Sequence, residues 1–200
     1  MPRRSRAARW WGKTNMREII KDKAVVSDDW TVLPLIEGGA PEAAAVPAGK
    51  TIVPLAVWLA QRAALQQRAD IGVWIASHER PEVLKDDVAK LPVIAVDFPK
   101  FSDGRGYSIA YNLRARLGYA GELRAIGDVL RDQMFYMQRV GFNAFATRED
   151  RNIHDALKSL FDFSDAYQAS LDQKMPLFKR QVRGVQSQDT SRKTGTDFSI

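Results

Sequence analysis

Apolar residues in this chain fall into short runs separated by stretches of helical spacing. Four runs read as buried strands: Ile71 to Ser77 (I-G-V-W-I-A-S), Pro92 to Asp97 (P-V-I-A-V-D), Glu122 to Ile126 (E-L-R-A-I) and Phe142 to Ala146 (F-N-A-F-A). Between and beside them the period changes to three and four. A helix is expected from Leu55 to Gln67, with Pro54 tolerated at its start and Leu55, Trp58, Leu59 and Ala63 on one face. A short helix is expected near Glu82 to Lys90. Another runs from Tyr107 to Leu117 on Ile109, Leu113 and Leu117, and a fourth from Leu130 to Val140 on Leu130, Met134 and Met137. The last places Ile153, Ala156, Leu157, Leu160 and Phe161 on one face, the clearest amphipathic pattern in the chain. Strands alternating with helices call for parallel pairing through right-handed crossovers. The expected fold is α/β: a small, mostly parallel sheet with alternating helices, as an open sheet or partial barrel. The chain is too short for a full eight-unit barrel.

The flanks read differently. Met16 to Leu35 predicts a β-hairpin that precedes the sheet and turns near Lys21 to Lys23; the Gly-, Ala- and Pro-rich stretch 36–49 reads as a linker. Residues 1–15 are expected to be a disordered basic extension and 182–200 a disordered tail, bracketing a single domain at 16–181 whose α/β core spans 50–181. Met16 is the preferred functional start.

Charge sharpens this division. The chain carries a formal +6, but residues 1–15 contribute +5 and 179–200 contribute +3, leaving 16–178 at −2. A nucleic-acid binder carries its basic footprint on the folded domain, so no specific nucleic-acid partner is expected. No apolar stretch is long enough to cross a bilayer, and the start lacks the apolar core of a secretory signal, which points to a cytoplasmic protein. Cysteine is absent and there are two histidines. Thiolate nucleophiles, Cys-ligated zinc, protein-thiolate iron–sulfur ligation and multi-histidine metal sites are therefore excluded within this chain. A dinucleotide fingerprint is also missing, since G-x-G occurs only as G-R-G. No cofactor is expected, and catalytic residues are not assignable.

The chemistry concentrates at one turn, F-P-K-F-S-D-G-R-G-Y-S from Phe98 to Ser108. It links an expected strand to an expected helix, where backbone donors and a guanidinium can face an anion. The anion or ligand site is placed at Asp103, Gly104, Arg105 and Gly106. Arg105 supplies a fork of donors, the glycines allow close approach, and Asp103 shapes the turn. If the strands are parallel, their carboxyl ends share one rim, the usual place for ligands in such sheets. That rim adds Asp128, Arg131 and Arg148 as neighbours, with Arg105, Arg131 and Arg148 suited to a phosphate, sulfate or carboxylate. Asp97 and Asp128 lack a third ligand at a diagnostic spacing, so no metal site is expected.

F-P-K-F-S-D-G-R-G-Y-S-I-A-Y-N-L-R at Phe98 to Arg114, G-E-L-R-A-I-G-D-V-L-R-D-Q at Gly121 to Gln133, R-V-G-F-N-A-F at Arg139 to Phe145 and S-D-D-W at Ser27 to Trp30 are specific as a set. Through them the chain resembles a bacterial family of unknown function encoded beside sulfite reductase in sulfate-assimilation gene clusters. Its members often carry the label oxidoreductase of sulfite reduction. The resemblance covers roughly Met16 to Gln181 and offers no catalytic residues to carry over. It implies a role in assimilatory sulfate and sulfite reduction. A chain without cysteine cannot hold the reductase's iron–sulfur cluster. The implied role is therefore an accessory protein that binds sulfite reductase or its electron donor, with a small oxyanion as a further ligand. The alternative is a small cysteine-free enzyme acting on a phosphorylated or sulfated metabolite at the strand rim.

Overall fold

The expected apolar runs enter one eight-stranded sheet. The computed structural model describes residues 17–35, 38–148 and 150–180; the ends expected to be disordered lie outside the described residues. In chain order the elements are β1 (Arg17–Lys21), β2 (Ala24–Asp28), β3 (Thr31–Val32), β4 (Thr51–Pro54), α1 (Leu55–Leu65) and β5 (Ile71–Ile75). Then follow β6 (Val93–Phe98), α2 (Arg105–Ala115), β7 (Glu122–Gly127), α3 (Arg131–Arg139), β8 (Ala144–Phe145) and α4 (Ile153–Lys158). The strand order is β2-β1-β8-β7-β6-β5-β4-β3. The sheet curls into a half-barrel.

The sheet is mixed rather than mostly parallel, which corrects the expectation. Strands β3 to β8 pair in parallel with their neighbours, but the hairpin does not stand apart from them. Its first strand is hydrogen-bonded antiparallel to β8, with Ile20 opposite Phe145, and its second is antiparallel to the first. Buried Ile19 and Ile20 supply the reason: a free two-stranded hairpin could not cover them. The turn sits where expected, with Asp22 and Lys23 both at positive φ (49° and 64°), the signature of a two-residue hairpin loop.

The middle of the chain adds two short strands, β3 and β4, on either side of the stretch 36–49, and brings one further correction. The helix expected near Glu82 to Lys90 is instead a pair of 3-10 turns, Pro81–Leu84 and Val88–Lys90. Between them Asp87 turns inward, fully buried, and accepts hydrogen bonds from Trp58 Nε1 (3.0 Å) and Arg62 Nη2 (2.8 Å). A regular helix is traded for that buried polar anchor onto α1.

Each strand from β3 to β8 adds beside the previous one, so right-handed connections collect on one face of the sheet. The main core lies there. Val53, Val73, Ile75, Ile94, Val96, Phe98, Leu123, Ala125 and Phe145 meet Trp58, Leu113, Met134 and Met137 from the helices. The alternate positions, Ile52, Trp74, Val93, Ala95 and Ile126, form a smaller cluster on the opposite face under Trp30 and Val32. Trp74 Nε1 donates to the carbonyl of Leu33 at 2.9 Å, tying the chain after β3 over that face. No helix among the described residues is long and apolar enough to cross a membrane.

Candidate functional site

Parallel pairing of β5 to β8 brings the carboxyl ends of these strands to one rim. At its centre is the turn between β6 and α2. Asp103 accepts from Ser77 Oγ (2.7 Å), from Arg105 Nε (2.9 Å) and from Arg105 Nη2 (2.7 Å), so one carboxylate ties the loop after β5 to the start of α2. The Arg105 guanidinium beside it, helped by Ser77, holds the Asp103 carboxyl well below the usual carboxylate range. Arg105 is largely exposed, and its Nη1 makes neither of these bonds. It borders an open cleft of about 300 Å³ lined also by Ser77, Glu79, Arg80, Ser108 and Asn112.

The two glycines of the turn serve different neighbours. Gly104 has ordinary φ (−77°) and a Cβ there would meet nothing within 4 Å. A Cβ on Gly106 would lie 2.5 Å from Cζ of Phe98, so this glycine seats the first turn of α2 on the Phe98 ring.

Asp128 and Arg148 form a second group on the rim. Asp128 Oδ2 accepts from the backbone N–H of Phe101 at 3.0 Å, and Oδ1 accepts from Arg148 Nη1 at 3.0 Å. Arg148 also grips Asp150 through Nε (2.9 Å) and Nη2 (2.8 Å), which raises the guanidinium pKa and depresses that of Asp150. Phe101 thus tethers the Asp103 turn to the Asp128 group. Arg131 turns elsewhere: it pairs with Asp155 at 2.8 Å and Asp162 at 3.6 Å, on and just beyond α4. Each of the three arginines singled out from sequence therefore has carboxylate partners of its own.

Asp97, weighed from the sequence only as a metal ligand with Asp128 and left out of the anion site, takes a distinct place here. It closes the apolar run of β6 on the face opposite the helices, in register with Ile126 of β7. Its carboxyl accepts no hydrogen bond among the described residues. Burial, and next the negative charge of Asp103, push its pKa up to about 6. A Cβ on Gly127, at φ +90°, would stand 2.6 Å from Asp97 Oδ1 and 2.5 Å from the Phe98 carbonyl oxygen, so glycine leaves this acid its room. A signal was present: one acid ending an otherwise apolar strand, just before the loop with the chemistry. The rim thus holds two carboxyls whose surroundings drive them apart, Asp103 kept ionised and Asp97 able to hold a proton near neutrality. Such a divergence is what acid–base chemistry requires.

Residues 72–178, just over half of the chain, match a family described as bacterial protein of unknown function (DUF934). This chain belongs to that family. The matched DUF934 segment contains β6, α2, β7 and α3, and with them every rim residue described above. No curated protein and no solved structure matches the chain.

Proposed function

We propose that this DUF934 protein is a cytoplasmic accessory protein of assimilatory sulfate and sulfite reduction that docks on sulfite reductase or its electron donor. The observation that carries this reading is the resemblance of the Phe98–Arg114 and Gly121–Gln133 motifs to the family encoded beside that enzyme. The chain's chemistry agrees, because with no cysteine it supplies neither a thiolate nor an iron–sulfur ligand. A deletion strain tests it. The expected result is failure to grow on sulfate with growth restored by sulfide or cysteine, and co-purification of the protein with the reductase. Normal growth on sulfate removes the reading.

A second reading, a cysteine-free enzyme acting on a phosphorylated or sulfated metabolite at the rim, is favoured by the opposed Asp97 and Asp103 carboxyls. In it Arg105 supplies the free edge of its guanidinium to the anionic group, while Asp103 fixes the fork and Ser77 fixes Asp103. Its test is binding of sulfate by the purified protein and loss of that binding in Arg105→Ala. Retained affinity in that variant removes Arg105 from the site.

A further inference from the structure

We propose that β2 is a self-association edge, through which two copies of this chain join their sheets antiparallel about a two-fold axis at Val26. The inference is independent of both readings of the rim.

The two edges of the sheet are built differently. β3 is two residues long, Pro34 follows soon after it, and the Leu33 carbonyl between them is taken by Trp74. Such an edge offers little to pair with. β2, at the other edge, is five residues long and in unbroken register with β1. Its Ala24 to Ser27 (A-V-V-S) holds no charge, proline or bulge of the kind that blocks an edge.

The hairpin turn sets which backbone groups of β2 are free. With Asp22 and Lys23 as the loop, Lys21 and Ala24 form the first hydrogen-bonded pair, and such pairs alternate along an antiparallel ladder. Ala24, Val26 and Asp28 therefore face β1. The Asp22 N–H, which donates to the Asn143 carbonyl at 2.8 Å on the β8 side, fits this phase. Val25 and Ser27 turn their N–H and C=O groups outward, and among the described residues no strand lies beyond them.

A second copy fits this edge. With the axis at Val26, Val25 lies opposite Ser27 of the other copy, so every outward N–H of the pair finds an outward C=O. Val26 meets Val26 across the axis, covering side chains that one copy leaves half-buried. The same register sets Asp28 opposite Ala24, and carries Lys23 toward Asp29 of the other copy on both sides of the axis. Like charges never face each other there, and a cation meets a carboxylate at each end. Beside the edge, α4 packs on β1 and β2, and Phe161 just beyond it is 58% exposed with the Lys23 ammonium 5.5 Å over its ring. Each copy supplies the same patch, as a two-fold interface requires.

Sedimentation equilibrium of the full chain should show a reversible monomer–dimer equilibrium. Ser27→Pro removes an outward donor and leaves the ladder to β1 whole. With about two hydrogen bonds lost per dimer, it should weaken association roughly ten- to hundred-fold while circular dichroism stays that of the wild type. Lys23→Asp and Asp29→Lys should each weaken association and the double charge swap should restore it, a readout that does not depend on Ser27→Pro folding. Amide exchange at Val25 and Ser27 should slow as concentration rises. A chain that stays monomeric up to about 100 µM overturns the proposal and leaves the edge to a strand of another protein. Slow exchange at every concentration also overturns it, because the edge is then covered within one chain. So does a dimer of equal strength in Ser27→Pro and in the charge variants, which places the contact on another surface.

Discussion

Arg124 on β7 and Asp28 at the end of β2 form a buried ion pair 2.9 Å long, joining residues 96 positions apart. Arg124 also holds Glu122 at 2.7 Å, and Glu122 in turn meets Lys21 at 2.8 Å. The hairpin is therefore fastened by a charged chain lying across the sheet, besides its ladder to β8. Removing one partner strands a charge in a dry place, which costs far more than the pair is worth intact. Asp28→Ala should lower the unfolding free energy by about 3 kcal/mol, the low end for such losses because Glu122 still faces Arg124. Urea titration checks this, and amide exchange at Ile19 and Ile20 should quicken. A change under about 0.5 kcal/mol would show the pair to be idle.

The three glycines of the rim should respond in order. Gly104→Ala meets open space and should be near neutral, within about 0.5 kcal/mol. Gly106→Ala presses on the Phe98 ring and should cost about 1–3 kcal/mol. Gly127→Ala meets a backbone oxygen at positive φ and should cost at least about 2 kcal/mol. Thermal and urea unfolding of the three variants rank them, and equal effects at 104 and 127 would contradict the turn geometry.

Asp97 makes stability pH-dependent in a stated direction. Its carboxyl binds a proton up to about pH 6 when folded and up to an ordinary 3.8 when unfolded. Its stabilising share is full below the lower value and is lost as pH rises through the higher. The difference corresponds to about 3 kcal/mol. Asp97→Asn should flatten the decline in unfolding free energy across that window, measured by denaturant titration at a series of pH values. An unchanged profile would mean that Asp97 ionises as freely in the folded protein as in the unfolded chain.

Arg105 is more than half exposed, so its ion pair with Asp103 should contribute little to folding. Arg105→Ala should leave the melting temperature nearly unchanged. The Asp103 carboxyl should then titrate closer to the ordinary carboxylate range, as followed by carbon-13 NMR. A large loss of stability would mark the turn as structural.

Much of the fold was readable because its signals are local. The four apolar runs and the helices at 55–65, 105–115 and 131–139 depend on residues close in sequence, and so does the Asp22–Lys23 turn. The hairpin's pairing with β8 depends on Phe145, far down the chain, and no periodicity encodes it. Strands β3 and β4 are too brief to show an alternation. The segment after Pro81 has helical spacing at Leu84, Val88 and Leu91, but the buried demand of Trp58 and Arg62 for Asp87 overrides it. The same division holds at the rim. The strand–turn–helix frame around Asp103 to Gly106 is local, whereas the partners that Arg131 and Arg148 take, and the isolation of Asp97, are set by which strands lie side by side.

That the first strand of the sheet pairs with its last has a consequence for synthesis. At about 5–20 residues per second, roughly 6 to 25 s pass between the emergence of Ile20 and of Phe145 from an elongating ribosome. Through that interval Ile19 and Ile20 have no sheet to join, and their apolar faces stay open to chaperones or to other nascent chains. The family's segment from β5 onward can meanwhile add its strands in the order they are made. The hairpin is made early yet is seated late, and a slowly translated or truncated chain is most vulnerable at its N-terminal edge.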